Sequence, residues 1–248
     1  MRENVLTIIS KYPVAGDVKT RLGESIGMVQ AAKLSKAMLL DLVDNHRGQS
    51  YDLIVEAGDA KYLPDFKRLL PQASVRVVLG DCIIGDRAIL WDVFKHHLTR
   101  YRKVIAILSD TPKVGVSLVE QGFLTLDSYD VVIGSDSGGG YYLIGMSRPY
   151  DLFSPLKLIE GKRRPYYEDT LRLIRSYGLS YKLMEPRVDI DTVDDIRRVQ
   201  WTEWDGNFPR TTRLLGELGL WISDGSDCTR SSRFSDPKHG RKKNGIEG

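Results

Sequence analysis

The chain has 248 residues and a mass of 28.0 kDa, enough for one large α/β domain or two small ones. Hydrophobic residues make up 42% and charged residues 28%, which excludes a disordered, fibrous or membrane-embedded chain. The net charge of +3 sits wholly in residues 225–248, which hold six Lys/Arg against three Asp/Glu. The neutral remainder speaks against a nucleic-acid-binding face.

The segment at 5–10, Val-Leu-Thr-Ile-Ile-Ser, is β-branched and apolar, as a buried parallel strand requires. The opening Met-Arg-Glu-Asn runs straight into it, so no signal peptide is expected. No apolar run reaches the ~18–20 residues of a membrane span. Cys82 and Cys228 are the only cysteines, so neither a disulfide framework nor a cysteine-built zinc site is expected. These features predict a cytoplasmic protein.

Helical spacing over 29–45 follows, with Ala31, Leu34, Met38, Leu42 and Val43 on one side. The pattern then predicts a strand at 52–57, a short helix at 62–70 stopped by Pro71, and a strand at 75–79. A helix at 86–100, a strand at 104–108 and a helix at 114–124 come next. Short strands at 131–133 and 141–145 flank a glycine cluster. A helix at 166–177 ended by Gly178, a strand at 180–184 and helices at 192–204 and 210–221 complete the series. Strands alternating with helices predict an α/β fold with a mostly parallel central sheet and helices on both faces. Residues 1–224 are expected to form that domain, and 225–248 a basic, disordered tail. Such sheets bind ligands beyond the carboxyl ends of their strands, so function is sought in the loops there.

Four loops carry candidate chemistry. The first, residues 11–22, reads Lys-Tyr-Pro-Val-Ala-Gly-Asp-Val-Lys-Thr-Arg-Leu. Pro13 and Gly16 shape a turn, and Lys11, Lys19 and Arg21 surround it with cations suited to a di- or triphosphate. A solvated basic loop is the other reading; the glycine spacing of a Walker or dinucleotide loop is missing. The second is Ser-Asp-Thr-Pro at 109–112, where Asp110 is either a ligand for a hard divalent cation or a helix N-cap ahead of Pro112. The third, 134–142, is Gly-Ser-Asp-Ser-Gly-Gly-Gly-Tyr-Tyr. It is either a close backbone approach to a ligand, with one of Tyr141 and Tyr142 free to stack on a sugar or base, or a flexible hairpin. In the fourth, Asp189 and Asp191 lie two apart and face the same way if extended. They either share a metal held largely by phosphates, or Asp191 caps the helix that follows. His46, His96, His97 and His239 show no ligand spacing, and no serine sits in a Gly-x-Ser-x-Gly elbow.

Taken in order, Lys-x-Pro-x-x-Gly-x-Val-Lys-Thr-Arg-Leu, Ser-Asp-Thr-Pro, Gly-Gly-Tyr-Tyr-Leu-Ile-Gly and Asp-x-Asp-Thr-x-Asp-Asp-Ile resemble the DUF2064-type GT-A-like transferases, named radical-SAM/selenodomain-associated transferases. These are distant relatives of the nucleotide-diphospho-sugar transferases and of phospholactate guanylyltransferase. The resemblance spans about residues 4–200. It implies a GT-A fold and a nucleotide site dependent on Mg²⁺ or Mn²⁺. Lys19 and Arg21 would then hold phosphates, with Lys11, Pro13, Gly16 and Arg87 around them. Asp110 would bind the metal, with Asp189 or Asp191 opposite, and Asp110, Asp191 and Lys19 would carry the catalysis. The glycine-rich loop, with Asp136, Gly139, Gly140 and Tyr141, would lie under the sugar or acceptor.

The chain also departs from the family pattern. Gly138 stands where relatives carry the Asp of Asp-Gly-Gly-Tyr, and Asp136 is the nearest substitute. The family's Gly-Asp-Leu-Gly-Glu-Arg appears as Cys-Ile-Ile-Gly-Asp-Arg at 82–87, keeping Asp86 and Arg87. Residues 161–167 replace a Trp-Ser segment with Gly-Lys-Arg-Arg-Pro-Tyr-Tyr. Arg163 and its neighbours there fit either a solvated loop or an anionic acceptor such as a phosphorylated sugar or lipid phosphate. The expectation is a metal-dependent transferase acting on a nucleotide sugar or NTP. Glycosyl transfer comes first, with nucleotidyl transfer or silent nucleotide-sugar binding as alternatives.

Overall fold

The computed structural model describes residues 3–78, 86–147, 166–199 and 208–221. Seven strands form one sheet: β1 Asn4–Ser10, β2 Asp52–Ala57, β3 Ser74–Val77, β4 Lys103–Leu108, β5 Val131–Ser135, β6 Tyr141–Met146 and β7 Tyr181–Met184. Their order is β3-β2-β1-β4-β6-β5-β7. β6 alone is reversed; the β1–β2, β1–β4, β2–β3 and β5–β7 pairs are parallel. The sheet is thus mostly parallel, as expected, with one antiparallel insertion made by the β5–β6 hairpin. Eight α-helices lie among the described residues: α1 Thr20–Ile26, α2 Met28–His46, α3 Leu63–Leu69, α4 Asp86–His97, α5 Val116–Thr125, α6 Tyr166–Ser176, α7 Val193–Arg198 and α8 Pro209–Glu217.

The apolar strands are buried because helices cover both sheet faces. On one face Leu6, Ile8, Ile105 and Ile107 pack with Leu39 and Leu42 of α2, Phe66 of α3 and Phe123 of α5. On the other, Val5, Val104, Ala106 and Ile133 pack with Val93 and Phe94 of α4 and Ile174 of α6. A third cluster lies where the chain folds over the strand ends. There Leu22 of α1, Leu34 and Met38 of α2, Ile190, Ile196 of α7 and Leu215 of α8 meet. That cluster brings the loop after β1 against the loop after β7.

Most of the predicted elements appear within a few residues of the expected bounds. α1 is an addition: the first loop is helical from Thr20 onward, so Arg21 and Leu22 belong to a helix. α4 stops at His97 and α5 starts at Val116, later than the expected 114. Leu79, residues 200–204 of the late helix and the tail 225–248 lie outside the described residues. Among the described residues no helix is long and apolar enough to cross a membrane.

β1 pairs with β2 on one side and β4 on the other. The chain therefore leaves β1 in one direction and returns in the opposite one, which opens a crevice beyond the carboxyl ends of β1 and β4. The ladder continues one step past the strands: Ser109 N–H donates to Ile9 O and Gly58 N–H to Ser10 O, both at 3.1 Å.

Candidate functional site

A cleft of about 310 Å³ occupies that crevice. Its lining includes Lys11, Lys19 and Arg21 from the first loop, Asp110 after β4, and Asp191 after β7. Lys19 Nζ donates to Asp110 Oδ2 and to Asp191 Oδ1, each at 2.9 Å. Arg21 Nη1 reaches Asp191 Oδ2 at 3.3 Å. The Lys19 side chain is only 7% exposed, whereas that of Arg21 is 74% exposed. Burial alone would push the Lys19 ammonium pKa down. Asp110 and Asp191 together outweigh burial and hold it above the ordinary lysine value, so Lys19 is a cation.

The backbone explains how these groups meet. Leu22 and Ile190 share the third apolar cluster, which fixes Lys19 and Asp191 on facing loops. Ile190 N–H donates to Asp110 O at 3.1 Å, tying the loop after β4 to the loop after β7. Lys19 itself has φ 49° and ψ 43°, the left-handed region, and stands as the N-cap residue of α1. A lysine in that conformation carries strain that the surrounding contacts must offset.

Both capping alternatives fail. α5 is capped by Gly115, five residues past Asp110. α7 is capped by Thr192, whose hydroxyl accepts from Asp195 N–H while the Asp195 carboxylate accepts from Thr192 N–H. Asp110 and Asp191 are thereby left to face the cleft. Asp110 Oδ1 is buried and without a hydrogen-bond partner, an orphan that a cation ligand would satisfy. Among the described residues no group of three or more His, Cys, Asp or Glu is arranged to hold a metal ion. A two-carboxylate site still fits Mg²⁺ or Mn²⁺, which draw much of their shell from phosphate oxygens and water.

Asp189 lies deeper. It is 5% exposed, and its Oδ1 accepts from the Ser137 hydroxyl at 3.0 Å. Burial, then the nearby Asp136 and Asp110 carboxylates, push its pKa up, against the pull of the Ser137 hydrogen bond. Asp136 Oδ1 accepts from Gly138 N–H at 2.8 Å and Gly140 N–H at 2.7 Å, so this carboxylate staples the glycine loop. A Cβ on Gly140 would stand 2.4 Å from Asp136 Oδ2, and Gly139 has φ +82°. The antiparallel β5–β6 pairing makes this loop a hairpin.

The two tyrosines behind this loop belong to the core. Tyr141 and Tyr142 are both buried, one in each face of the core. Burial lifts the Tyr142 pKa to about 12, and its hydroxyl donates to Glu185 O at 2.8 Å.

Pro13 and Gly16 (φ +89°) shape the first loop and stand outside the cleft lining. Arg163 and the stretch 161–165 lie outside the described residues, as do residues 82–85 and the side chain of Arg87. Of the histidines, His46 and His97 are buried. His46 Nε2 donates to Val114 O at 2.8 Å, so its Nδ1 accepts from the Tyr51 hydroxyl at 2.7 Å. Sequence reasoning missed Ser10 and Ser109 in the cleft, whose hydroxyls meet at 3.0 Å. Their place at the ends of β1 and β4 was the available signal.

Known proteins resemble this chain at two levels. A candidate nucleotide-diphospho-sugar transferase from Desulfovibrio desulfuricans G20 is 27% identical, with a TM-score of 0.77 over 88% of this chain and 97% of that one. The 4-diphosphocytidyl-2C-methyl-D-erythritol synthase of Anaerococcus prevotii DSM 20548 is 13% identical, with a TM-score of 0.53 over 79% of this chain and 94% of that one, a likeness of fold. No curated protein matches the sequence. Residues 71–158 match the family described as an uncharacterized protein conserved in bacteria, DUF2064, in agreement with the resemblance carried by the motifs.

Proposed function

We propose that the protein is a transferase acting on a nucleotide-activated donor, and that the reaction is glycosyl transfer from a nucleotide-diphospho-sugar. The observation that carries this reading is the meeting of Lys19, Arg21, Asp110 and Asp191 around one cleft at the switch point of the sheet. Cations suit the diphosphate, and paired carboxylates suit a divalent ion beside it. The sugar donor is supported by the Desulfovibrio relative, which is named as a candidate nucleotide-diphospho-sugar transferase. It is supported too by the first loop, which turns on the single glycine Gly16 and lacks a glycine run to wrap a triphosphate.

In this reading Asp110 and Asp191 would hold Mg²⁺ or Mn²⁺, with the buried Asp189 behind them. The ion, when bound, supplies neutralisation of the diphosphate charge. Arg21, on the open side, reaches the phosphates, and Lys11 stands at the mouth. The anomeric carbon would exchange its bond to the β-phosphate oxygen for a bond to the acceptor oxygen, whose proton passes to solvent. The nucleoside diphosphate leaves with the negative charge that Lys19 and Arg21 face. Asp136 shapes the glycine loop beside the acceptor, and Arg163 is proposed to meet an anionic acceptor.

Thermal unfolding against nucleotide sugars and NTPs, with Mg²⁺, Mn²⁺ or EDTA, tests the reading. A ligand at ~100 times its Kd stabilises by about 2.7 kcal/mol, or roughly 5–10 °C for a chain of this size. A metal-dependent shift with a nucleotide sugar, followed by release of nucleoside diphosphate on turnover, is expected. Pyrophosphate release from an NTP and a sugar phosphate would replace glycosyl with nucleotidyl transfer. Binding without turnover would leave a nucleotide-sugar-binding protein. Asp110→Asn is expected to abolish the metal-dependent part of the shift and to cut turnover by about 100-fold or more. Full retention of both would remove Asp110 from the metal site.

A further inference from the structure

We propose that Lys19 is a resident counter-cation at the Asp110–Asp191 pair, so that the site takes up its divalent ion as a chelate with the nucleotide diphosphate and not as the free ion. The inference rests on the transferase reading and extends it to the form in which the ligand arrives.

Three observations carry it. One ammonium bridges both carboxylates at 2.9 Å and therefore stands in the position an ion shared by them would take. An ion binding both oxygens and an ammonium between them exclude each other by volume, and they repel by charge. The Lys19 side chain is 7% exposed, so solvent does little to screen that repulsion. Finally, the Lys19 backbone sits in the left-handed region at φ 49°, a strained conformation of the kind that clusters at ligand sites.

Charge balance decides the order of loading. In the nucleotide-free site Asp110 and Asp191 are matched by Lys19 and Arg21. A free divalent ion would leave this cluster strongly positive. A diphosphate ester carries two negative charges, and its chelate with a divalent ion enters without net change. The ammonium then passes from carboxylate oxygens to phosphate oxygens, and both carboxylates turn to the ion. Arg21, bound to Asp191 from the solvent side, makes the same exchange at lower cost because it is mostly exposed.

The test is Mn²⁺ binding in the absence of nucleotide, read as loss of the free-ion electron paramagnetic resonance signal. Lys19→Met is expected to bind Mn²⁺ at least about tenfold tighter than the unsubstituted protein, and Lys19→Arg no tighter. Lys19→Met combined with Asp110→Asn should lose the gain, which locates the ion. A Lys19→Met protein no tighter for Mn²⁺ than the unsubstituted one overturns the proposal. Should Lys19→Met fail to fold, the unsubstituted protein decides. Proton relaxation enhancement should report protein-bound Mn²⁺ with UDP-, GDP-, ADP- or CDP-linked sugars and little with Mn²⁺ alone. Equal binding of Mn²⁺ with and without every one of these overturns the proposal. A Lys19→Met protein that gains Mn²⁺ affinity while no nucleotide binds to either form keeps the counter-cation and overturns the transferase reading.

Discussion

Asp189 shows how one buried acid couples the site to pH. Its pKa is raised by burial and by the Asp136 and Asp110 carboxylates, so the fold favours its protonated form. The stability tied to that form is complete below the ordinary aspartate pKa of about 4 and is lost as pH climbs through the raised value. Asp189→Asn keeps an acceptor for the Ser137 hydroxyl and removes the charge. In EDTA it is expected to melt above the unsubstituted protein at pH 7, with the gap closing near pH 4. A gap of equal size at both pH values would assign the effect to packing. At this scale the sequence was informative about residue type: Lys19, Arg21, Asp110 and Asp191 were legible as charged groups after strands. That Asp110 and Asp191 do not cap helices was not. Asp191 and Thr192 are adjacent cap-formers, and the choice of Thr192 rests on its extended backbone, φ −138°, and on the reciprocal bond with Asp195.

The elements around the cleft are held by two polar devices. α8 has no side-chain cap of its own; Asp41 of α2 supplies one across the fold. This fully buried carboxylate accepts from Thr211 N–H and Oγ1 at 2.8 Å and from Arg210 Nη1 at 3.0 Å. Asp41→Ala would strand those donors, and a loss of about 3 kcal/mol in denaturant unfolding is expected. Thr192→Ala removes the α7 cap and should cost about 1 kcal/mol. It should also weaken nucleotide binding, because the cap fixes the turn that carries Asp191. Unchanged nucleotide affinity would detach the cap from the site. Strands were legible because apolar residues run through both faces of β1 and β4. α1 was not, since seven residues with Gly23 inside them give no period to read. The β5–β6 reversal was legible only as the hairpin alternative for the glycine-rich loop, because the direction of a strand leaves no mark on its composition.

Across the whole molecule, the described packing lies within residues 3–221. Deleting residues 225–248 removes six of 36 basic and three of 33 acidic residues and takes the net charge from +3 to zero. Calorimetry is expected to find the melting temperature unchanged, while isoelectric focusing finds a lower isoelectric point; a fall in melting temperature would mean that the tail packs on the fold. Sheet order has a further consequence in time. Lys19 finds Asp110 91 positions later and Asp191 172 positions later. At about 5–20 residues per second of synthesis, the second partner follows on the order of ten seconds or more after the first residue of the pair. Until then a nascent chain can assemble β1 through β6 but has no Asp191 to set against Lys19. The cleft is thus completed only once β7 and the loop that carries Asp191 have been made. A chain cut between Met146 and Asp191 would keep β1–β6 and lack the Lys19–Asp191 contact.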